Sequence, residues 1–274
     1  MPTFLLSDIL VYMKPKILFS LAIVFVAAVV VYFVVTNNKN TSSGSLPVNN
    51  MPTGQALNSI IEPEMISVDQ NSYLLGISGS YPKFSQADES FNKKISDTVM
   101  ADISVFKENA NDNYQARLQT GGDEFQKQFA DSGQFTYQVT TEVIQSNNQY
   151  VSVLIRAGGF SGGAHGYENI FTFNYDVKNK KEITLADLFS NDKNYLKTIS
   201  GVAQKQLVTK LTTASEQTVL DENMMSMLRD GTDPSKPENF LLFTISDDRV
   251  VTIYFSQYQV APYVYGEQAV EIKL

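Results

Sequence analysis

The sequence has 274 residues, 43% of them apolar and 11% aromatic, which is enough for one large domain or two modest ones and excludes global disorder. It has no cysteine and one histidine, His165, so a disulfide framework, a thiolate metal site and any metal site with two imidazoles are excluded. The 21 basic and 29 acidic residues give a net charge of −8, which argues against a nucleic-acid partner.

An apolar run near the N-terminus predicts a membrane anchor. Ile17–Val35 contains no charged residue, and as a helix it would be close to the ~30 Å thickness of the hydrocarbon layer. Lys14 and Lys16 precede the run and only Lys39 follows closely, so the positive-inside bias places the N-terminus in the cytoplasm, whether the chain starts at Met1 or at Met13. A cleavable signal peptide is the alternative, but its apolar core would be shorter.

This anchor divides the chain into parts. We predict a short cytoplasmic tail at 1–16, a transmembrane helix at 17–36, a flexible Asn- and Ser-rich linker at 37–60, and an extracytoplasmic domain with halves at 61–157 and 158–274. Beyond Lys39 the chain has 18 basic and 28 acidic residues, so the outer part is acidic and favours cationic partners.

The first half of the outer domain predicts strands followed by a helix. Glu64–Asp69 and Tyr73–Ser80 have strand patterns, with a turn at residues 70–72. Ser85–Asp88 has the spacing of a capping box, and a helical apolar stripe from Phe91 to Ala110 follows it. We expect this helix to end before Gly121 and Gly122.

The remaining patterns predict hairpin-linked strands and further helices. Alternation indicates strands at Phe135–Val139, Val151–Ile155 and Phe171–Val177, and a second capping box opens at Thr184. Helical patterns then span residues 196–211 and 219–228, and strand patterns span 240–245, 250–255 and 270–274. Because helices and strands come in blocks, the predicted class is α+β, with antiparallel sheets packed with helices.

A glycine-rich stretch, Gly158–Tyr167, is the first candidate site. It could display His165 and Tyr167 to a ligand, or it could be a wide structural turn. A third interpretation makes Ser161 a nucleophile and His165 its base, although such pairs normally meet from distant parts of a sequence.

A proline-centred loop is the second candidate site. Tyr258, Tyr263 and Tyr265 are amphipathic rings of a kind favoured at binding surfaces, and the alternative is that they pack over one end of a sheet. We predict no catalytic residue, no cofactor and no metal, since the adjacent acidic pairs do not match a calcium loop.

Two segments carry a family resemblance, GGAHGYENIFTFNYDVKNKKEITLADLF (Gly162–Phe189) and FSQYQVAPYVYGEQAVEIKL (Phe255–Leu274). They resemble the outer domain of RsiV-type anti-sigma factors, which also occurs beside the catalytic domain of PdaC-type peptidoglycan deacetylases, over about residues 62–274. The resemblance implies an extracytoplasmic bacterial domain. A cytoplasmic tail of at most 16 residues is too short to wrap a sigma factor, and one histidine does not suffice for the deacetylase metal centre.

Together these features predict a membrane-anchored, non-catalytic sensor domain that faces the cell wall. Its expected partner is a cationic, lysozyme-like protein or a wall glycan, bound by His165, Tyr167, Tyr258, Tyr263 and Tyr265. The alternatives are a cell-wall or peptide hydrolase that uses Ser161 and His165, and an envelope scaffold.

Overall fold

The computed structural model describes residues 60–216 and 218–274. The predicted tail, the anchor Ile17–Val35 and nearly all of the linker lie outside these residues. No helix in the described ranges combines the length and the apolar character that a membrane crossing requires.

The first part of the fold is a seven-stranded sheet. Its strand order is β1-β3-β4-β5-β6-β7, and β2 pairs with β3 beside this path. The strands are β1 (Glu64–Ser67), β2 (Gln70–Asn71), β3 (Leu75–Lys83), β4 (Phe135–Ser146), β5 (Tyr150–Phe160), β6 (Tyr167–Asp176) and β7 (Lys181–Glu182). The predicted turn at residues 70–72 is therefore wrong, because Gln70 and Asn71 pair with Ile77 and Gly76.

One pair of strands in this sheet is parallel. β3 and β4 run in the same direction, whereas the other pairs are antiparallel. Parallel neighbours need a long crossover, and helix α1 (Glu89–Ser132) supplies it. The predicted mixed α+β class, rich in antiparallel pairs, is confirmed.

Helix α1 starts later than its sequence pattern predicts, and a second helical segment follows its break at Gly122. The Asp88 side chain accepts a hydrogen bond from Phe91 N at 2.9 Å, so Asp88 rather than Ser85 is the N-cap. Gly122, with φ of 50°, interrupts the helical backbone where the sequence predicts that the helix ends, and a second helical segment continues to Ser132. The predicted apolar stripe is confirmed, since its members are buried against the sheet: Phe91, Ile95, Val99, Ile103, Phe106 and Ala110.

A second, three-stranded sheet has its own core. It consists of β8 (Phe243–Ile245), β9 (Val250–Phe255) and β10 (Gln268–Lys273) in the order β10-β9-β8. Three helices accompany it, α2 (Leu185–Leu188), α3 (Tyr195–Ala214) and α4 (Glu222–Gly231), and 3-10 turns occupy Pro237–Phe240 and Tyr263–Tyr265. Residues 240–242, predicted as strand, therefore precede β8.

The small sheet packs on the face of the large sheet that lies opposite α1. Ser152 Oγ accepts from Ile245 N at 2.9 Å, and Asn174 Nδ2 donates to Phe243 O at 2.7 Å. These contacts satisfy backbone groups on β8, an edge strand whose polar groups would otherwise be costly to bury. The large sheet therefore has one face under α1 and part of the other under the small sheet.

The α2 cap gives a pH-dependent stability prediction. Asp187 accepts hydrogen bonds from Thr184 N at 2.9 Å and Lys181 Nζ at 2.7 Å, and the Lys181 contact is the main cause that lowers its pKa from 3.8 to about 2. A lowered carboxyl pKa stabilises the fold above the unfolded value, and this contribution is lost as pH falls toward 2. We expect Asp187→Ala to lower Tm by roughly 2–4 °C at pH 7.

Thermal denaturation at several pH values checks this expectation. The difference between Asp187→Ala and the unchanged chain should shrink between pH 4 and pH 2. Asp248→Ala, in the exposed β8–β9 turn, is the control and should leave Tm unchanged. An Asp187→Ala difference that stays constant with pH would show that the ionised carboxylate does not stabilise this cap.

Candidate functional site

Two glycines of the first candidate stretch belong to a strand rather than to a loop. β5 continues to Phe160 and β6 starts at Tyr167, so Gly158 and Gly159 pair with Glu168 and Tyr167. A Cβ at Gly158 would lie 2.1 Å from Tyr167 O, and one at Gly159 would lie 1.9 Å from Thr136 O. These glycines therefore allow neighbouring strands to approach closely, and only residues 161–166 form the connecting loop.

Three of the five predicted ligand-binding residues come together. The His165 ring lies 4.2 Å from the Tyr263 ring, which lies 5.6 Å from the Tyr258 ring, measured between centroids. The Tyr263 hydroxyl donates to Gly166 O at 2.9 Å and so holds the two candidate loops together. His165 and Tyr258 are exposed. We call these three side chains the aromatic row.

The other two predicted residues lie elsewhere. Tyr167 is on the α1 side of the sheet, across Gly159 from Tyr137, and its buried hydroxyl has no hydrogen-bond partner in the described part of the chain. Burial, aided by the nearby Asp102, raises the pKa of Tyr167 to about 12. Tyr265 packs against the core of the small sheet.

The Ser161 and His165 side chains are not joined. His165 Nδ1 lies 2.8 Å from Gly166 O, and the backbone carbonyl of Ser161 accepts from Asn113 Nδ2 at 2.8 Å. Within residues 60–216 and 218–274 no hydrogen bond connects Ser161 to His165. The geometry therefore does not provide the nucleophile and base of the predicted hydrolytic alternative.

A group of carboxyls around Arg156 is the feature that sequence reasoning missed. Arg156 donates two hydrogen bonds to Glu267, at 2.8 and 2.9 Å, and its Nη1 lies 3.5 Å from Glu142. The guanidinium carbon is also 5.9 Å from the centre of the Tyr254 ring. Arg156 and Glu267 are 111 residues apart, so no local motif could have indicated the pair.

Glu168 is the third carboxyl of this group, which we call the Arg156 cluster. Its side chain remains accessible to solvent. Partial burial of the carboxyl group raises its pKa, Glu267 raises it further, and Arg156 opposes the shift. In many hydrolases, one carboxyl has a raised pKa and a neighbouring carboxyl stays ionised, so that the first can donate a proton while the second remains charged. Glu168 pairs with Gly158 and so lies on the same sheet face as Arg156, and this placement makes it an acid–base candidate.

The described residues do not fit a catalytic metal centre of the kind that the deacetylase resemblance implies. No group of three or more His, Cys, Asp or Glu side chains within residues 60–216 and 218–274 could hold a metal ion. The single imidazole, His165, stacks on Tyr263 instead.

Comparison with known sequences identifies two segments. Residues 67–168 match the family described as "Deacetylase PdaC", and residues 186–274 match "Protein of unknown function (DUF3298)". A Bacillus subtilis (strain 168) protein named "Peptidoglycan-N-acetylmuramic acid deacetylase PdaC" is 33% identical over 135 residues, which are 49% of this chain. The match spans 27% of that relative's length.

Two solved structures described as DUF3298 family proteins align with most of this chain. One from Bacteroides fragilis has 22% identity and a TM-score of 0.49, covering 79% of this chain and 90% of the other. One from Pseudomonas aeruginosa PAO1 has 16% identity and a TM-score of 0.43, with 80% and 93% covered.

These relatives correct the predicted function. The match to a named deacetylase and to the PdaC family contradicts the prediction of a non-catalytic sensor and favours the hydrolase alternative. The PdaC part of the predicted resemblance is confirmed, whereas the RsiV-type label is not. Residues 67–168 are thus similar to the PdaC family and residues 186–274 to the DUF3298 family.

Proposed function

We propose that this chain is a cell-envelope hydrolase that removes N-acetyl groups from peptidoglycan, with Glu168 as the residue that transfers protons. The carrying observation is that Glu168, at the end of the PdaC-type segment, lies on the same sheet face as Arg156, which is ion-paired with Glu267, and its carboxyl has a raised pKa. The activity named for the Bacillus subtilis relative supplies the substrate class, and because the match spans about a quarter of that protein, this transfer is itself part of the proposal.

Glu168 has the properties that amide hydrolysis needs. The oxygen of a water molecule bonds to the acetyl carbon, the carbon–nitrogen bond breaks, and the products are acetate and a free amine on the sugar. A carboxylate takes one proton from the water and returns it to the leaving nitrogen. A carboxyl whose pKa is raised toward neutral pH is a stronger base in the first transfer and can still act as the acid in the second. Glu267 contributes by fixing Arg156 and by raising the pKa of Glu168.

The aromatic row supplies a surface for a sugar ring. Tyr263 is bonded to Gly166, two residues before Glu168 in the chain, so the row borders the start of β6. Rings of this kind stack on the apolar face of a carbohydrate while their polar edges remain hydrated. We infer that His165, Tyr258 and Tyr263 hold the wall glycan beside the carboxyls.

A wall substrate fits the location that the sequence predicts. Ile17–Val35 would anchor the chain in the membrane with residues 1–16 inside and the linker 37–60 outside, and this arrangement would present residues 61–157 and 158–274 to the wall. The acidic surface of the outer part would keep it away from anionic lipid and free to reach the glycan.

The direct test is acetate release from purified peptidoglycan by the full-length chain. We expect acetate and new free amino groups to appear together, in equal amounts, with activity increasing as Glu168 becomes ionised with rising pH. Heat-denatured protein is the control. If the folded chain releases no more acetate than the denatured chain across the pH range, the proposed activity is wrong.

A further inference from the structure

An open groove lies on the large sheet beside the Arg156 cluster. Its volume is about 690 Å³, within the range of sites that bind small ligands, and β2 to β5 line it. It occupies the sheet face opposite α1, at the end that the small sheet leaves uncovered. The covered part of the same face includes Ser152 and Asn174, which bond to β8.

One row of paired residues crosses the sheet from the groove to Glu168. Ser78 pairs with Gln138, Gln138 pairs with Gly158, and Gly158 pairs with Glu168. Residues paired in this way project from the same sheet face at neighbouring positions. A Cβ at Gly158 would lie 2.1 Å from Tyr167 O, so β6 approaches β5 closely at the edge of the groove, and Glu168 is the next residue in this row.

Several neutral hydrogen-bonding side chains line the groove. They are amides and hydroxyls, namely Gln70, Asn71, Ser78, Gln134, Thr136 and Gln138, and Gln134 already donates to Asn71. In the part of the chain that the structure describes, Ser78, Thr136 and Gln138 make no side-chain hydrogen bond to another protein group. The one acidic residue of the lining, Asp69, already accepts a bond from Gly79 N at 2.9 Å.

This chemistry fits an uncharged sugar chain. Amides and hydroxyls both donate and accept hydrogen bonds, as the hydroxyl and acetamido groups of an N-acetylated glycan do. An anionic ligand would meet Glu168 at the groove end and a chain with a net charge of −8.

We propose that this groove is a glycan-binding site that takes an uncharged, N-acetylated sugar strand and directs an acetamido group toward Glu168. The proposal that the groove binds a glycan depends only on the residues that line it. The proposal that an acetamido group points toward Glu168 rests on the proposed function. The groove thereby sets which sugar units reach the carboxyl.

Calorimetric titration of the full-length chain tests the proposal. The probe is a β-1,4-linked N-acetylglucosamine tetramer, and cellotetraose, which has hydroxyl groups in place of the acetamido groups, is the matched ligand. We expect the N-acetylated tetramer to bind about tenfold more tightly, because the amide side chains lose partners when the acetamido groups are absent. No binding of the N-acetylated tetramer, or equal binding of the two, would overturn the proposal.

Variants locate the binding. The double change Ser78→Ala with Gln138→Ala should weaken tetramer binding about tenfold, since both side chains are exposed and the fold does not depend on them. Ser104→Ala with Gln126→Ala removes the same groups from exposed positions of α1 and should change nothing. Unchanged affinity in the groove variant would show that the sugar binds elsewhere.

The outcome separates this site from the proposed activity. Glu168→Gln should retain tetramer binding, because the groove side chains are intact. Tetramer binding that depends on Ser78 and Gln138, without acetate release, would support the groove and contradict the hydrolase. Acetate release that the double change Ser78→Ala with Gln138→Ala does not affect would support the hydrolase and contradict the groove.

Discussion

Gly159→Ala should strongly destabilise the fold. A Cβ at this position would lie 1.9 Å from Thr136 O and 2.8 Å from Tyr137 Cα, and both atoms belong to the backbone of β4, which cannot move aside as a side chain could. We expect a loss of about 3 kcal/mol, the upper part of the usual range for overpacking, because β4 and β5 must separate at the centre of the sheet. Denaturant unfolding monitored by circular dichroism measures the loss.

Gly201→Ala is the matched control for this change. Gly201 lies on the exposed side of α3 and a Cβ there would meet no atom within 4 Å. Because alanine favours a helix over glycine by about 1 kcal/mol, this variant should be more stable than the unchanged chain. A Gly159→Ala protein that unfolds at the original denaturant concentration would disprove the close approach of β4 and β5.

Glu168→Gln should abolish most of the proposed activity while leaving the fold intact. Glutamine keeps the size of the side chain but cannot take or return a proton, so we expect acetate release to fall about 100-fold or more. The raised pKa predicts the sign of the stability effect. Above that pKa the ionised carboxyl destabilises the fold, so its removal should leave Tm at pH 8 equal to or above that of the unchanged chain.

Glu182→Gln is the control for activity. Glu182 lies on the edge strand β7, where its exposed carboxylate pairs with Lys94, away from the Arg156 cluster. It should release acetate at the original rate. If Glu168→Gln retains that rate as well, Glu168 does not transfer the proton, and the carboxyl cluster is structural.

Local periodicity was sufficient to predict a helix or a strand where one of its faces packs against a single neighbouring element. The stripe from Phe91 to Ala110 and the alternation in β4 follow from the 3.6-residue and two-residue repeats, and both were confirmed. The capping box at Thr184 was also confirmed, since its bonds join residues three positions apart. The predicted start at Ser85 was wrong because the Asp88 side chain caps the helix instead, and the second helical segment after Gly122 was not predicted.

The functional prediction depended on evidence beyond periodicity. The PdaC part of the resemblance rested on residues 162–189 and 255–274 and was supported by the family matches, whereas the non-catalytic role drawn from it was contradicted. The aromatic row was predicted in composition, but its members meet only because Tyr263 bonds to the loop before β6. Sequence spacing could not show that His165 and Tyr258 belong to the aromatic row and that Tyr167 and Tyr265 do not.

By itself, the sequence determined the mixed α+β class, the buried stripe of α1, and a composition with one histidine and no cysteine. Only the tertiary structure decided that β3 and β4 run parallel and that Arg156 meets Glu267. It also decided that an uncovered sheet face leads to Glu168. The physical reason is range. Helical and strand repeats act between residues a few positions apart, whereas the Arg156 cluster and the groove are formed by residues from segments that are far apart in the sequence.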